Sequence, residues 1–202
     1  YELNRLYGVA LLSIGQPAPA IWPLQKAARS PEGSLEDALN LGRAHFEGGS
    51  PEEARGVANE MVERSPELLE ARMLRIETNK KLSDHEAALE DLDFILSHRP
   101  NDTQTQLQRA EMLLLLDRPE EAEEAVHSAQ QVIADSMDDE GSLGRFCAFD
   151  ATLTFERGGE DQFEQAMEIW QRCLEQSPAN PLVVNEAVKF LDAQGEYSAA
   201  TQ

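Results

Sequence analysis

The chain has 202 residues, 41% hydrophobic and 27% charged, which is enough apolar material for a packed core and argues against disorder throughout. Its 38 acidic and 17 basic residues leave a formal net charge of −21, which excludes a nucleic-acid backbone or an anionic lipid surface as main partner. There is no run of 18 apolar residues, so no membrane-spanning helix is predicted.

The surplus of acid is uneven. Residues 1–101 carry 17 acids and 11 bases, whereas residues 102–202 carry 21 acids and 6 bases. In the first segment, Arg5, the apolar stretch from Leu6 to Ile14 and then Ala18-Pro19-Ala20 imitate a secretory leader with its small-residue cleavage site. The same residues also fit a helical register, and that reading is preferred because the register continues down the chain.

The spacing predicts pairs of helices in succession. Residues 1–34 form the first pair, broken at Gly15; Pro17 and Pro19 suit the first turn of its second helix, and Pro23 lies deep enough to kink or delay it. In residues 35–68, Ala38, Leu41, Ala44 and His45 or Phe46 recur at helical spacing. Gly48-Gly49 interrupt them, Pro51 restarts a helix with Glu52 and Glu53 in its first turn, and Pro66 ends it. Residues 69–102 repeat the plan, with Arg75-Ile76 at the Leu41-Gly42 position and Ser83 where a turn glycine is expected. In residues 103–136, Glu120, Glu121, Glu123 and Glu124 open the second helix, where negative charge favours the helix dipole. An insertion near 136–144 is predicted as an acidic surface loop, with extension of the neighbouring helices by part of it as the alternative. Residues 145–180 and a truncated 181–202 complete the series.

Two residue types carry the register independently. Alanine stands at Ala20, Ala54, Ala88 and Ala122 in steps of 34, then at Ala166 and Ala200, another step of 34 after one interval of 44. Proline gives Pro66, Pro100 and Pro178, whose 78-residue gap equals the same 34 plus 44. A short amphipathic helix cannot bury its apolar stripe alone, so units with this period must stack, and the small alanine lets paired helices approach closely.

On these residues the chain resembles a tetratricopeptide-repeat array of about six units. The matching positions are Tyr7-Gly8 and Leu41-Gly42 in first helices, Gly15, Gly49 and Gly195 in turns, Tyr197 after the last turn, the six alanines, and Pro31, Pro66, Pro100 and Pro178 at unit ends. Also matching are Leu24, Ala58, Leu92, Val126 and Trp170 four residues after each alanine, then Ala27, Met61, Ile95, Ala129 and Cys173. The resemblance implies an all-α fold, a right-handed α-solenoid of stacked antiparallel helix pairs forming one array over residues 1–202. Its first helices would line a groove for a peptide or partner protein. Carrying the groove slots over gives Leu39, Arg43 and Phe46, then Met73, Glu77 and Lys80, then Gln104, Leu107, Glu111 and Leu114. The lysine–asparagine clamp that some members use for a peptide's C-terminal carboxylate is lacking, since Leu39, Arg43, Glu70, Leu74 and Leu107 stand in its place. With Glu77 and Glu111 in the groove, the expected ligand is neutral or basic.

Nothing in the spacing supports catalysis, a cofactor or a metal. His45, His85, His98 and His127 are scattered, Gly48-Gly49 and Gly158-Gly159 lack a following Lys-Ser or Lys-Thr, and Asp135, Asp138, Asp139 and Glu140 do not follow the calcium-loop pattern. Cys147 and Cys173 lie in amphipathic segments and leave the redox compartment open. The expected function is a non-enzymatic interaction scaffold, with a docking or regulatory region of a larger multidomain enzyme or assembly complex as the alternative. The latter rests on the chain ending two residues after Ala200, inside a predicted second helix. A soluble protein is expected, in the cytoplasm rather than exported, and the sequence sets no oligomeric state.

Overall fold

The structure, a computed structural model, describes residues 1–135, 140–156, 161–178 and 180–193. Eleven α-helices and no strand occur among them. They group into two compact units, Tyr1–His98 and Arg99–Gln202.

The first unit contains α1 (Glu2–Ser13), α2 (Pro17–Ala28), α3 (Leu35–Glu47), α4 (Pro51–Arg64), α5 (Leu69–Lys81) and α6 (His85–His98). Each helix packs on the next. Ala20, Ala54 and Ala88 are fully buried, because at these crossings a side chain larger than a methyl would hold the helices apart. Glycine has the same role in α1 and α3. A Cβ at Gly8 would lie 2.5 Å from Leu24 Cγ, and one at Gly42 would lie 2.4 Å from Leu74 Cδ2. Between paired helices the chain turns through the left-handed region at Gly15 (φ 70°), Gly49 (φ 83°) and Ser83 (φ 59°). Each turn closes identically, as the Gly15 N–H donates to Leu12 O and the Gln16 N–H to Leu11 O, and the same pair of bonds recurs at Gly49/Ser50 and Ser83/Asp84.

The delay expected from Pro23 does not occur. α2 starts at Pro17 and runs through Pro23. Pro17 and Pro19 fall where the helix has no use for an N–H, so Pro23 costs a single backbone bond, and its ring is buried in the core. α3 begins with a capping box in which Ser34 Oγ accepts from the Asp37 N–H at 3.2 Å and the Asp37 carboxylate accepts from the Ser34 N–H at 2.9 Å.

The second unit contains α7 (Thr103–Leu115), α8 (Pro119–Asp135), α9 (Glu140–Glu156), α10 (Gln162–Gln176) and α11 (Pro181–Ala193). Its turn after α7 is left-handed at Asp117 (φ 57°), 34 residues after Ser83. Ala122 and Ala166 are fully buried; Ala200, Gly195 and Tyr197 lie outside the described residues. Helices α8 and α9 have 17 residues each, against 12 or 13 in α1 and α7, so part of the surplus predicted near 136–144 extends helices. Residues 136–139 of that insertion lie outside the described residues.

Two features were not anticipated. A disulfide joins Cys147 of α9 to Cys173 of α10, with their Cα atoms 6.3 Å apart. In addition, Arg72 Nε donates to Pro66 O at 2.9 Å and Gln106 Nε2 to Pro100 O at 2.7 Å. These two contacts are 34 residues apart, so each carbonyl left open by a closing proline is satisfied from the following first helix.

Candidate partner-binding groove

In the second unit the first helices α7, α9 and α11 enclose a cleft of about 580 Å³. Helical spacing brings its walls together: α7 supplies Glu111, Leu114 and Leu115, α9 supplies Ala148, Phe149 and Thr152, and α11 supplies Glu186. A second cleft of about 330 Å³ shares Ala148, Thr152 and Glu186 with the first and is closed by Phe155, Trp170 and Phe190. Phe190 fixes that end, with its ring edge-on to Phe155 at 5.8 Å and tilted against Trp170 at 6.1 Å. Leu115 is 56% exposed at the mouth of the larger cleft, whereas Trp170 at the inner end is 1% exposed and its buried Nε1 has no acceptor. The charged groups lining the two clefts are Glu111, Glu186 and Lys189, and Lys189 Nζ donates to Glu186 Oε1. The lining is therefore mainly apolar, with a net negative charge.

The positions predicted from the sequence divide among several environments. Glu111 and Leu114 line the larger cleft. Gln104 is exposed on the first turn of α7, and Leu107 is 7% exposed within the packing of that helix. In the first unit, Leu39 packs beside the cluster of Met61, Val62 and Ala71. Arg43, Met73 and Glu77 are exposed, while Phe46 and Lys80 are half-buried. Leu115, Phe149, Thr152 and Glu186 were missed. Leu115 adjoins a predicted position, but the 44-residue interval hid the slots on α9 and α11.

The acidic start of α8 has a local role. Arg118 donates through Nε and Nη2 to the two carboxylate oxygens of Glu121 at 2.7 and 2.8 Å, and this pairing holds the Glu121 carboxyl below the usual carboxylate range. Among the described residues there is no cluster of three or more His, Cys, Asp or Glu arranged to hold a metal ion. No described helix is long and apolar enough to cross a membrane.

No family model and no curated protein matches the chain by sequence. Solved structures do. MamA (residues 41 to end) from Desulfovibrio magneticus RS-1 superposes with a TM-score of 0.75 at 18% identity, over 89% of this chain and 96% of that one. A tetratricopeptide repeat protein from Parabacteroides merdae ATCC 43184 gives 0.76 at 19% identity, over 100% of this chain and 76% of its own. The chain has the tetratricopeptide-repeat fold. A thermophilic member from Thermus thermophilus, TTC0263, gives 0.61 at 21% identity over 94% and 98% of the two chains. At these identities the likeness establishes the fold of the tetratricopeptide array, and the groove residues must speak for themselves.

Proposed function

We propose that this chain is a non-enzymatic protein-interaction scaffold, and that the α7–α9–α11 groove takes a neutral or basic peptide segment. One observation carries the reading: an apolar cleft large enough for side chains, with Leu115 and Phe149 available as anchors and the carboxylates of Glu111 and Glu186 in its walls. Apolar and aromatic anchors supply most of the energy of such contacts, and flanking carboxylates select a ligand with Lys or Arg beside its apolar residues. Within the first unit, α3 and α5 carry exposed Arg43, Met73 and Glu77 and a half-buried Phe46, a separate surface of mixed charge. The disulfide favours an oxidising compartment, because in the cytoplasm thiols are kept reduced.

A peptide array read against the folded chain tests this reading. Captured peptides should pair apolar residues with Lys or Arg. Phe149→Asp should weaken a captured peptide at least tenfold in fluorescence anisotropy, and Glu111→Lys with Glu186→Lys should shift preference toward acidic peptides. Unchanged affinity and selectivity in both variants would remove the groove from consideration.

A further inference from the structure

Glu186 is common to the walls of both clefts, so it stands where they meet, and Lys189 lines the smaller cleft one turn further along α11. The Lys189 Nζ donates to Glu186 Oε1 at 2.5 Å. Three residues apart on one helix, the two side chains share a face and need no other element to bring them together. The pair is open to solvent, with 61% of the Lys189 side chain and 32% of the Glu186 side chain exposed. An ion pair this exposed is weakly held.

The surrounding walls suit a long basic side chain. Ala148, Phe155, Phe190 and Ala193 offer apolar surface to a methylene stem, and Glu186 is the one carboxylate among the described residues that line this smaller cleft. Lys189 of the chain itself fills that role. A ligand's base reaches Glu186 only in competition with an ammonium tethered three residues away, whose effective concentration is high.

We propose that Glu186 is the point at which the groove recognises a ligand's base, and that Lys189 is its resident competitor, which makes the site select arginine over lysine. The inference rests on the α7–α9–α11 groove being the peptide site. A ligand lysine brings the same ammonium that Lys189 already supplies. An arginine brings a planar fork that can take both oxygens of a carboxylate at once, and so displaces Lys189 where a lysine exchanges with it on equal terms. Lys189 is thus a specificity-determining residue, although its charge has the same sign as the base it screens.

The test uses a labelled peptide from the array that carries a single arginine, with two copies of it bearing Lys or Gln at that position. Binding is read by fluorescence anisotropy, with thermal unfolding as the fold control. The unmodified chain should rank them Arg, Lys, Gln. Lys189→Met should raise the ratio of Arg-peptide to Gln-peptide affinity by about two- to fivefold and narrow the gap between Arg and Lys. Glu186→Gln should remove most of that ratio, and adding Lys189→Met to it should then change the ratio by less than about twofold, because the two effects share one partner. A ratio unmoved by Lys189→Met overturns the proposal. So does an equal gain with and without Glu186, which would mean that Lys189 acts only through its charge at a distance, and so does an array that yields no arginine peptide. Phe149→Asp on the same peptides separates these failures from that of the groove: binding lost in this variant keeps the groove as the peptide site, and binding that survives it removes the groove and the inference together.

Discussion

Arg75 holds both carboxylate oxygens of Asp91, donating through Nε to one and Nη2 to the other at 2.7 Å each, although the Asp91 side chain is fully buried. Arg72 adds a third bond at 2.7 Å from Nη1 and lays its guanidinium 3.4 Å from the centre of the Phe94 ring. Two cations from α5 thus surround one anion from α6, and the hydrogen bond to Asp91, reinforced by its charge, raises the Arg75 pKa. Arg75 stands where Leu41 stands in the preceding pair, so an ionic clamp replaces an apolar contact at the same step of the register. Asp91→Ala should cost about 3–5 kcal/mol in chemical denaturation, since it leaves two half-buried guanidiniums facing an empty site. A smaller loss would mean that water replaces the carboxylate. Arg75→Met combined with Asp91→Leu should recover part of the stability lost in either single variant.

The turn residues make a second prediction that depends on backbone conformation alone. An added Cβ at Gly15 or Gly49 meets no atom within 4 Å, so any cost of Gly49→Ala comes from its positive φ and should be about 1 kcal/mol. Ser83 and Asp117 already bear that strain at φ 59° and 57°. Ser83→Gly and Asp117→Gly should each shift the thermal midpoint upward or leave it unchanged, the relieved strain being offset by greater freedom of glycine in the unfolded chain. A clear fall in midpoint for either would show that the replaced side chain contributes contacts of its own.

How much could be read from the sequence follows from which constraints repeat. Ala20, Ala54, Ala88, Ala122 and Ala166 are all fully buried, and the step of 34 is visible because a close helix crossing accepts only a small residue. The left-handed turns were half visible: Gly15 and Gly49 signal them, whereas Ser83 and Asp117 hold the same conformation without a distinctive residue. The Arg75–Asp91 clamp was hidden because it joins residues 16 apart through a pairing that does not follow the 34-residue step: Val57 and Ala125, not acids, stand one step before and after Asp91. The groove was legible on α7, through Glu111 and Leu114, and lost on α9, where helices lengthened by the insertion put Phe149 and Thr152 off the 34-residue count.

His45 gives a pH dependence with a definite sign. It is half-buried in α3, its Nδ1 is buried without a partner, and burial lowers its pKa below the ordinary value of 6.5 against the opposing pull of Glu53. The folded state therefore binds fewer protons than the unfolded chain. Its contribution to stability is complete above the unfolded value of about 6.5 and is lost as pH falls from there through the folded value. Thermal midpoints measured between about pH 8 and 5 should fall more steeply for the unmodified chain than for His45→Gln. Parallel curves would show that His45 titrates alike in both states.

The Cys147–Cys173 bond closes a loop across 26 residues between α9 and α10, with both cysteines buried at 0% and 4% exposure. Closing such a loop lowers the entropy of the unfolded chain, and on that account the bond contributes roughly 3–4 kcal/mol. Without it, α9 and α10 still bury Ala151, Ala166 and Trp170, so the reduced chain should remain helical by circular dichroism and unfold at a lower temperature. Cys147→Ser with Cys173→Ser should reproduce the reduced midpoint, and that variant should no longer respond to reductant. Alkylation in denaturant before and after reduction checks the bond directly: mass spectrometry should find no modified cysteine before and two after. Labelling of both thiols in chain isolated from an oxidising compartment, without reductant, would show that the bond does not form there.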